Sequence, residues 1–449
     1  MKQKLTLTIE SLVFGGQGLA HTPDGQVVFV WNALPGEQVE AEVIKQKSSY
    51  LEAIASAIIT PSEHRRDPRE PQYLSSSPWA IMSPEYESVS KKAVAAEVYS
   101  KFADYRVEPH QLSLVDDERL YGYRNKIEFS FCLVDDKGTC VDLDREHHFS
   151  MPNPKGTRIS LAFYRRGSHK LIPVTMSSLA EPTLNNIAQD ILHWINTVNI
   201  PIKSMKSLVV RSNGKGQVIA ALFLKDTLQF DFYPELSTSF IGFHIYFSTH
   251  KSPASVPTKK IYAAGSETLT AEILGTTLNF GLLSFFQVNI PVFTKALEDI
   301  AAFVHPDEPL VDVYAGVGSI GLPISRNRPS LKLIESNEEA VMYAKQNITH
   351  NNRSCDEVLL APAEEITEKI PTEGAVVVDP PRAGLHPKVT AALLTKAPPK
   401  ILYLSCGLDT QARDMKLLSE RYSISFLSLY NFFPRTPHIE ALAVLERMW

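Results

Sequence analysis

Cysteine is scarce. The 449-residue chain holds four, Cys132, Cys140, Cys355 and Cys406, too few and too scattered for a disulfide framework. No two stand as Cys-x-x-Cys, which argues against a thiolate zinc site. Thiols this rare point to a reducing cytoplasm. No apolar run approaches the roughly 20 residues a membrane-spanning helix needs. The opening Met1-Lys-Gln-Lys-Leu-Thr-Leu-Thr8 is charged and alternating, the pattern of a strand rather than a secretory signal. Neither sign of charge dominates: 45 Lys and Arg against 50 Asp and Glu leave a net −5. The chain as a whole therefore carries no electrostatic footprint for nucleic acid, and any such contact has to come from local basic patches. No internal repeat or low-complexity tract occurs, and nothing points to an obligate protein partner.

What is present is ordinary globular material, 44% hydrophobic and 21% charged, at a length that favours about three domains. Residues 1–60 read as a small OB-like β-barrel. Lys4 to Glu10, Val27 to Trp31, Glu37 to Gln46 and Tyr50 to Ile59 are strand-like, with turns at Gly15-Gly-Gln-Gly18, Pro23-Asp-Gly25 and Pro35-Gly36. Residues 61–275 read as a connector and an α+β domain. Helical spacing predicts a helix from Pro84 to Phe102 and another from Glu181 to Asn196. Asn213-Gly-Lys-Gly216 predicts a hairpin between two strands. Basic residues collect here: Arg124, Lys126, Arg165 and Arg166, with Lys206, Arg211 and Lys215. They are candidate phosphate contacts. Solvated strand edges, where lysine is common, account for them equally well.

From residue 276 to 449 the pattern alternates strand, turn and helix, which predicts a doubly wound, Rossmann-like α/β domain. Its strand ends carry the chemistry. Ile401 to Leu404 is a short apolar strand that stops at Ser405-Cys406-Gly407. A lone cysteine is most often a small core residue, but this one keeps unusual company. Asp312-Val-Tyr-Ala-Gly-Val-Gly318 lies between a strand and a helix, where glycine lets a ligand approach the backbone. It lacks the third glycine of a dinucleotide grip and the Gly-Lys-Ser/Thr of a P-loop, so a nucleoside without phosphates fits better. Leu331-Lys-Leu-Ile-Glu335 ends in an acid that either accepts both ribose hydroxyls or caps the next helix. Asp379-Pro-Pro-Arg382 is a rigid loop holding an acid and an arginine. Pro434-Arg-Thr-Pro-His-Ile-Glu440 brings a carboxylate to the start of the run Ala441 to Leu445. Together these ends suggest an S-adenosylmethionine site with a thiol and a carboxylate. Carbon 5 of uracil is a poor nucleophile until a thiolate adds to carbon 6, and a base must later remove the carbon 5 proton.

The motifs in order resemble the RNA uracil-5 methyltransferase family. Ser405-Cys-Gly-Leu-Asp-Thr-Gln-Ala-Arg-Asp414 is similar to its nucleophile motif and Pro434 to Glu440 to its base motif. Asp379-Pro-Pro-Arg-Ala-Gly384, Ser284-Phe-Phe-Gln-Val-Asn289 and Tyr123-Arg-Asn-Lys126 also match. The resemblance implies Cys406 as nucleophile and Glu440 as base, with Gln287, Tyr314, Ser319, Glu335 and Asp379 contacting S-adenosylmethionine. Residues 1–60 resemble the TRAM domain that such proteins carry for RNA binding, which tilts the expectation toward ribosomal over transfer RNA. Many members hold a [4Fe–4S] cluster on four cysteines. Here Glu70, Ser76 and Trp79, with Ser177, stand at the corresponding places, and none replaces thiolate ligation. The expectation is no cluster and no metal. Two other classes compete. A cytosine-5 or exocyclic-amine methyltransferase would place a cysteine after Asp379-Pro or dispense with Cys406. A non-catalytic RNA-binding protein would need neither Cys406 nor Glu440.

Overall fold

In the computed structural model the described residues are 3–141, 152–249, 252, 255–325, 330–353 and 356–448. The amino-terminal part is a six-stranded sheet in the order Lys4–Thr8, Gln38–Gln46, Tyr50–Thr60, Val27–Trp31, Gly18–His21, Ser11–Leu12. Alternating residues Leu7, Val28, Val30, Val39, Ala41, Leu51 and Ala53 form its core, the period-2 burial of a sheet with one covered face. The Glu10 amide donates to the Leu19 carbonyl at 2.8 Å, so the sheet curls back on itself. The two-residue strand Ser11–Leu12 is too short to register as a pattern in the sequence.

The Pro84–Ala103 helix follows the connector. Ser83 caps it by accepting from the Tyr86 amide at 3.3 Å, and Pro84 fills the first position. The middle sheet runs Leu171–Pro173, Arg158–Tyr164, Lys126–Val134, Met205–Ser212, Val218–Leu224, Phe240–Phe247, Lys259–Gly265. The Asn213-Gly-Lys-Gly216 turn closes the expected hairpin, pairing Ser212 with Val218. The Pro182–Thr197 helix lays Ile187, Ile191 and Trp194 on one face of this sheet. No helix among the described residues is long and apolar enough to cross a membrane.

Strand order in the carboxyl-terminal sheet is Glu357–Leu360, Leu331–Glu335, Leu310–Val313, Ala375–Val378, Lys400–Ser405, Glu440–Arg447, Tyr422–Tyr430, with Leu114–Val115 at the edge. The first five are parallel. Order reverses beside Leu310–Val313, which opens a crevice at the strands' carboxyl ends. Glu440–Arg447 runs antiparallel to Lys400–Ser405, with Ser405 opposite Ala441. One sequence reading is corrected here: Glu440 is the first residue of its strand rather than the residue before it. Tyr422–Tyr430 is a further full strand that the sequence reading left unassigned.

The four positions matched to cluster cysteines are tied by hydrogen bonds. Glu70 accepts from Ser76 Oγ at 2.6 Å, Gln72 Nε2 at 3.1 Å and the Ser178 amide at 2.9 Å. Gln72 also donates to the Met176 carbonyl. Trp79 is buried and donates from Nε1 to the Gly16 carbonyl at 3.0 Å. Ser177 donates its amide to Asn185. Among the described residues no three His, Cys, Asp or Glu side chains are grouped to hold a metal.

Arg211 corrects another expectation. It is fully buried, not a phosphate contact. Its guanidinium donates to the carbonyls of Gly281, Leu282, Ser284 and Phe286 and lies 4.6 Å from the Phe280 ring centroid. Burial pulls its pKa down to about 9. Lys206 is likewise spent, on Ser248 and the carbonyls of Thr249 and Ser252. Replacing Arg211 by Met strands four buried acceptors, so Arg211→Met should lower stability by about 3 kcal/mol or more. Urea denaturation checks this, and an unshifted midpoint would mean the 281–287 turn stands without it.

Candidate active site

The turn that Arg211 holds carries Phe285, two-thirds exposed, and buried Gln287. Both line a cavity of about 1410 Å³ at the carboxyl edge of the parallel strands. Tyr314, Glu335, Asp379, Arg382, Cys406 and Glu440 line it too. Six of the seven catalytic and cofactor positions expected from the sequence thus meet at one cleft. Ser319 does not line it; it is buried beyond the glycine turn.

The turn after Leu310–Val313 is built for close approach. Tyr314 adopts φ +69° without being glycine, a strained conformation that clusters at functional sites. Gly316, at φ +56°, has nothing within 4 Å of where a Cβ would stand, so its backbone faces open cavity. Its amide donates to Glu335 Oε2 at 2.9 Å, and the Asn337 amide donates to Oε1 at 2.7 Å. The helix Glu338–His350 is capped by Asn337, whose Oδ1 accepts from the Ala340 amide. That closes an alternative left open by the sequence: Glu335 is not the cap, and its carboxylate is aimed at the cleft. Asp312 is buried, with Oδ2 accepting from the Gly321 amide at 2.8 Å and Oδ1 unpartnered. Burial, then repulsion from Asp379 and Glu335, pushes its carboxyl up to about 8. This set of an acid, glycine backbone and a buried orphan oxygen fits a nucleoside.

The second half of the cleft is the thiol and its neighbours. Cys406 ends the Lys400–Ser405 strand, and Gly407 begins the turn into the Leu408–Leu418 helix. A Cβ on Gly407 would lie 2.6 Å from Thr410 Oγ1, so a larger residue would displace the turn. Since Ser405 pairs with Ala441, the next rung of an antiparallel ladder brings Cys406 opposite Glu440. Burial, then the carboxyls of Glu440 and Asp379, push the Cys406 thiol up to about 11, with Arg382 opposing. Burial raises Asp379 to about 7. Glu440 is raised well above the usual carboxylate range by burial and then Asp379, again opposed by Arg382. Low dielectric disfavours every anion here, and Arg382 is the cation that opposes this at both reacting groups.

The loops are held from outside the domain. Asn125 donates to the Gln287 carbonyl at 3.0 Å and Tyr123 to the Pro434 carbonyl at 3.1 Å. The Tyr123 to Lys126 segment therefore ties the middle domain to both edges of the cleft. Of the four expected RNA contacts, Arg165 is exposed. Arg124 donates to the Lys126 carbonyl and lies 6.0 Å from the Phe433 ring. Burial lowers Lys126 to about 8. Arg166 donates to Leu74 and stacks 4.0 Å over Trp31 of the amino-terminal sheet, joining two parts of the molecule. Sequence reasoning gave no role to His438, although it stands in the base motif. Burial, then Arg382, Lys91 and Arg124, lowers its imidazole to about 4, so it is neutral at pH 7. Cys355 lies outside the described residues.

The chain is similar to known proteins along nearly its whole length. Residues 272–448 match the family model for tRNA (uracil-5-)-methyltransferase, and residues 2–55 match the TRAM domain. A protein described as an uncharacterized RNA methyltransferase from Lactobacillus johnsonii is 28% identical, covering 99% of this chain and 98% of that protein. One so described from Aquifex aeolicus is 28% identical, covering 99% of each. The fold resembles the crystal structure of Pyrococcus abyssi tRNA (uracil-54, C5)-methyltransferase in complex with S-adenosyl-L-homocysteine. The TM-score is 0.75 at 20% identity, over 98% of this chain and all of that one.

A thiol raised to about 11 is protonated at neutral pH, and only the thiolate is alkylated. Iodoacetamide labelling of Cys406, followed by peptide mass mapping, should be slow at pH 7.5 and rise about tenfold per pH unit up to pH 10. A plateau reached by pH 8 would mean the free site already holds a thiolate.

Proposed function

We propose, from the match of residues 272–448 to the tRNA (uracil-5-)-methyltransferase model, that of residues 2–55 to the TRAM domain and the likeness to RNA methyltransferases, that the protein methylates carbon 5 of a uridine in RNA through a covalent bond from Cys406 to carbon 6. The observation that carries this reading is that Cys406 and Glu440 line one cleft, each one residue beyond the Ser405–Ala441 rung of an antiparallel ladder. S-adenosylmethionine, when bound, supplies an electrophilic methyl group. Glu335, the Gly316 backbone, Gln287 and Asp379, which line the cleft with Tyr314, are the residues that would hold it. Cys406, which is partly exposed, gives up its proton to solvent and its sulfur bonds carbon 6, which leaves carbon 5 electron-rich. Arg382 stabilises the thiolate as it forms. After carbon 5 is methylated, Glu440 removes the carbon 5 proton, and the electron pair re-forms the carbon 5–carbon 6 double bond as Cys406 leaves. Glu440 must be ionised for that step, and Arg382 favours its anion.

Ribosomal RNA is the first substrate to test, with the amino-terminal TRAM domain in support; transfer RNA is the second. Labelled S-adenosylmethionine and RNA lacking the modification, followed by nucleoside mapping, should give 5-methyluridine. Label in 5-methylcytidine or a methylated amine would overturn the reading. Cys406→Ser should lower turnover by about 10⁴-fold or more and abolish trapping by RNA containing 5-fluorouracil. An undiminished adduct would remove Cys406 from its role. Glu440→Gln should methylate yet hold RNA as a covalent adduct, visible on denaturing gels. Normal release by that variant would exclude Glu440 as base.

A further inference from the structure

Three charged side chains are buried together away from the cleft, and the reaction as described uses none of them. Glu87 and Lys91 lie one helical turn apart on the Pro84–Ala103 helix, and Arg435 comes from the loop that ends at Glu440. All three side chains are at most 3% exposed. Lys91 Nζ donates to Glu87 Oε1 at 2.9 Å, to Asn431 Oδ1 at 2.6 Å and to the Phe433 carbonyl at 3.1 Å. Glu87 accepts from the Arg435 amide and from Arg435 Nη1, each at 2.8 Å. Arg435 also donates to the Met82 carbonyl. Its carbonyl accepts from the Trp79 amide at 3.0 Å.

Burying three charges is costly, and apolar residues of similar volume commonly stabilise a fold as well or better. Stability alone therefore does not account for the set. Its bonds converge on one segment, 431–439, which closes the hairpin between Tyr430 and Glu440, themselves paired. Arg435 sits at φ +64°, a left-handed conformation that a non-glycine residue holds only under external constraint. The ion set supplies that constraint from a helix outside the methyltransferase domain. Trp79 and Gly16 add a second hold from the amino-terminal sheet: a Cβ on Gly16 would stand 2.5 Å from Pro437 Cβ.

We infer that Glu87, Lys91 and Arg435 are positioning residues that set the Glu440 carboxylate against the substrate's carbon 5, so that their loss slows release of the product more than formation of the adduct. The inference rests on the reading of Glu440 as base. Lys91→Met keeps volume and removes the charge. With unmodified RNA and rapid quenching, the rate of Cys406–RNA adduct formation should stay within about twofold, turnover should fall about tenfold, and the adduct should accumulate. A merely structural role would lower both steps together or weaken the binding of S-adenosylhomocysteine. Glu87→Gln keeps the side-chain volume and one of the two acceptor oxygens without the charge, and carries the same test if Lys91→Met does not fold. Normal release by the folded variant, or equal loss in both steps, overturns the proposal. Glu440→Gln in parallel separates the two readings. If it stalls while Lys91→Met releases normally, only the positioning role fails. If it releases normally, the base assignment fails and this inference with it.

Discussion

A carboxylate can begin where a neighbouring strand's cysteine ends only if the two strands run in opposite directions. Five parallel strands present their carboxyl ends to the crevice, so residues at their amino ends lie on the far side. The reversed strand Glu440–Arg447 breaks that rule, and its first residue arrives beside Cys406. Everything else serves this pairing. The Asp379 loop brings Arg382 to both groups, the glycine turn opens the cofactor side, and Arg211 fixes the turn that carries Gln287. The long hairpin needed for the reversal is in turn the segment that helix Pro84–Ala103 holds.

The electrostatics follow from the same crowding. Asp379, Glu440 and the Cys406 thiol line one cleft, with Asp312 buried behind the glycine turn, and each is pushed toward its neutral form. Charge is created where the reaction creates it, and Arg382 is placed to favour it there.

Much of this was legible in the sequence because it depends on local pattern. A strand stopping at Ser405-Cys-Gly407, a glycine turn, an acid at a strand end and a double proline are each short-range signals. Ambiguities that depend on geometry were not legible. Glu335 and Asn337 both suit a helix cap, and only the hydrogen bonds assign the cap to Asn337. Arg211 and Lys206 read as phosphate contacts because a basic residue looks the same whether it faces solvent or four carbonyls. Glu87 and Lys91 carry no local signal that sets them apart from other charged residues of their helix. Their burial comes from a segment more than 300 residues away in the chain, which no window of sequence contains. Tyr422–Tyr430 escaped notice because its burial alternates only weakly before Ser428.

The knot around Glu70 bears on how such a protein is put together. Glu70, Gln72 and Ser76 join the connector to the segment at Met176–Ser178 through a carboxylate and its donors. These bonds form as the chain itself closes, with no part to be delivered or inserted by another machine. The bonds themselves run through nitrogen and oxygen only, so this link between the connector and the Met176–Ser178 segment does not depend on a redox state.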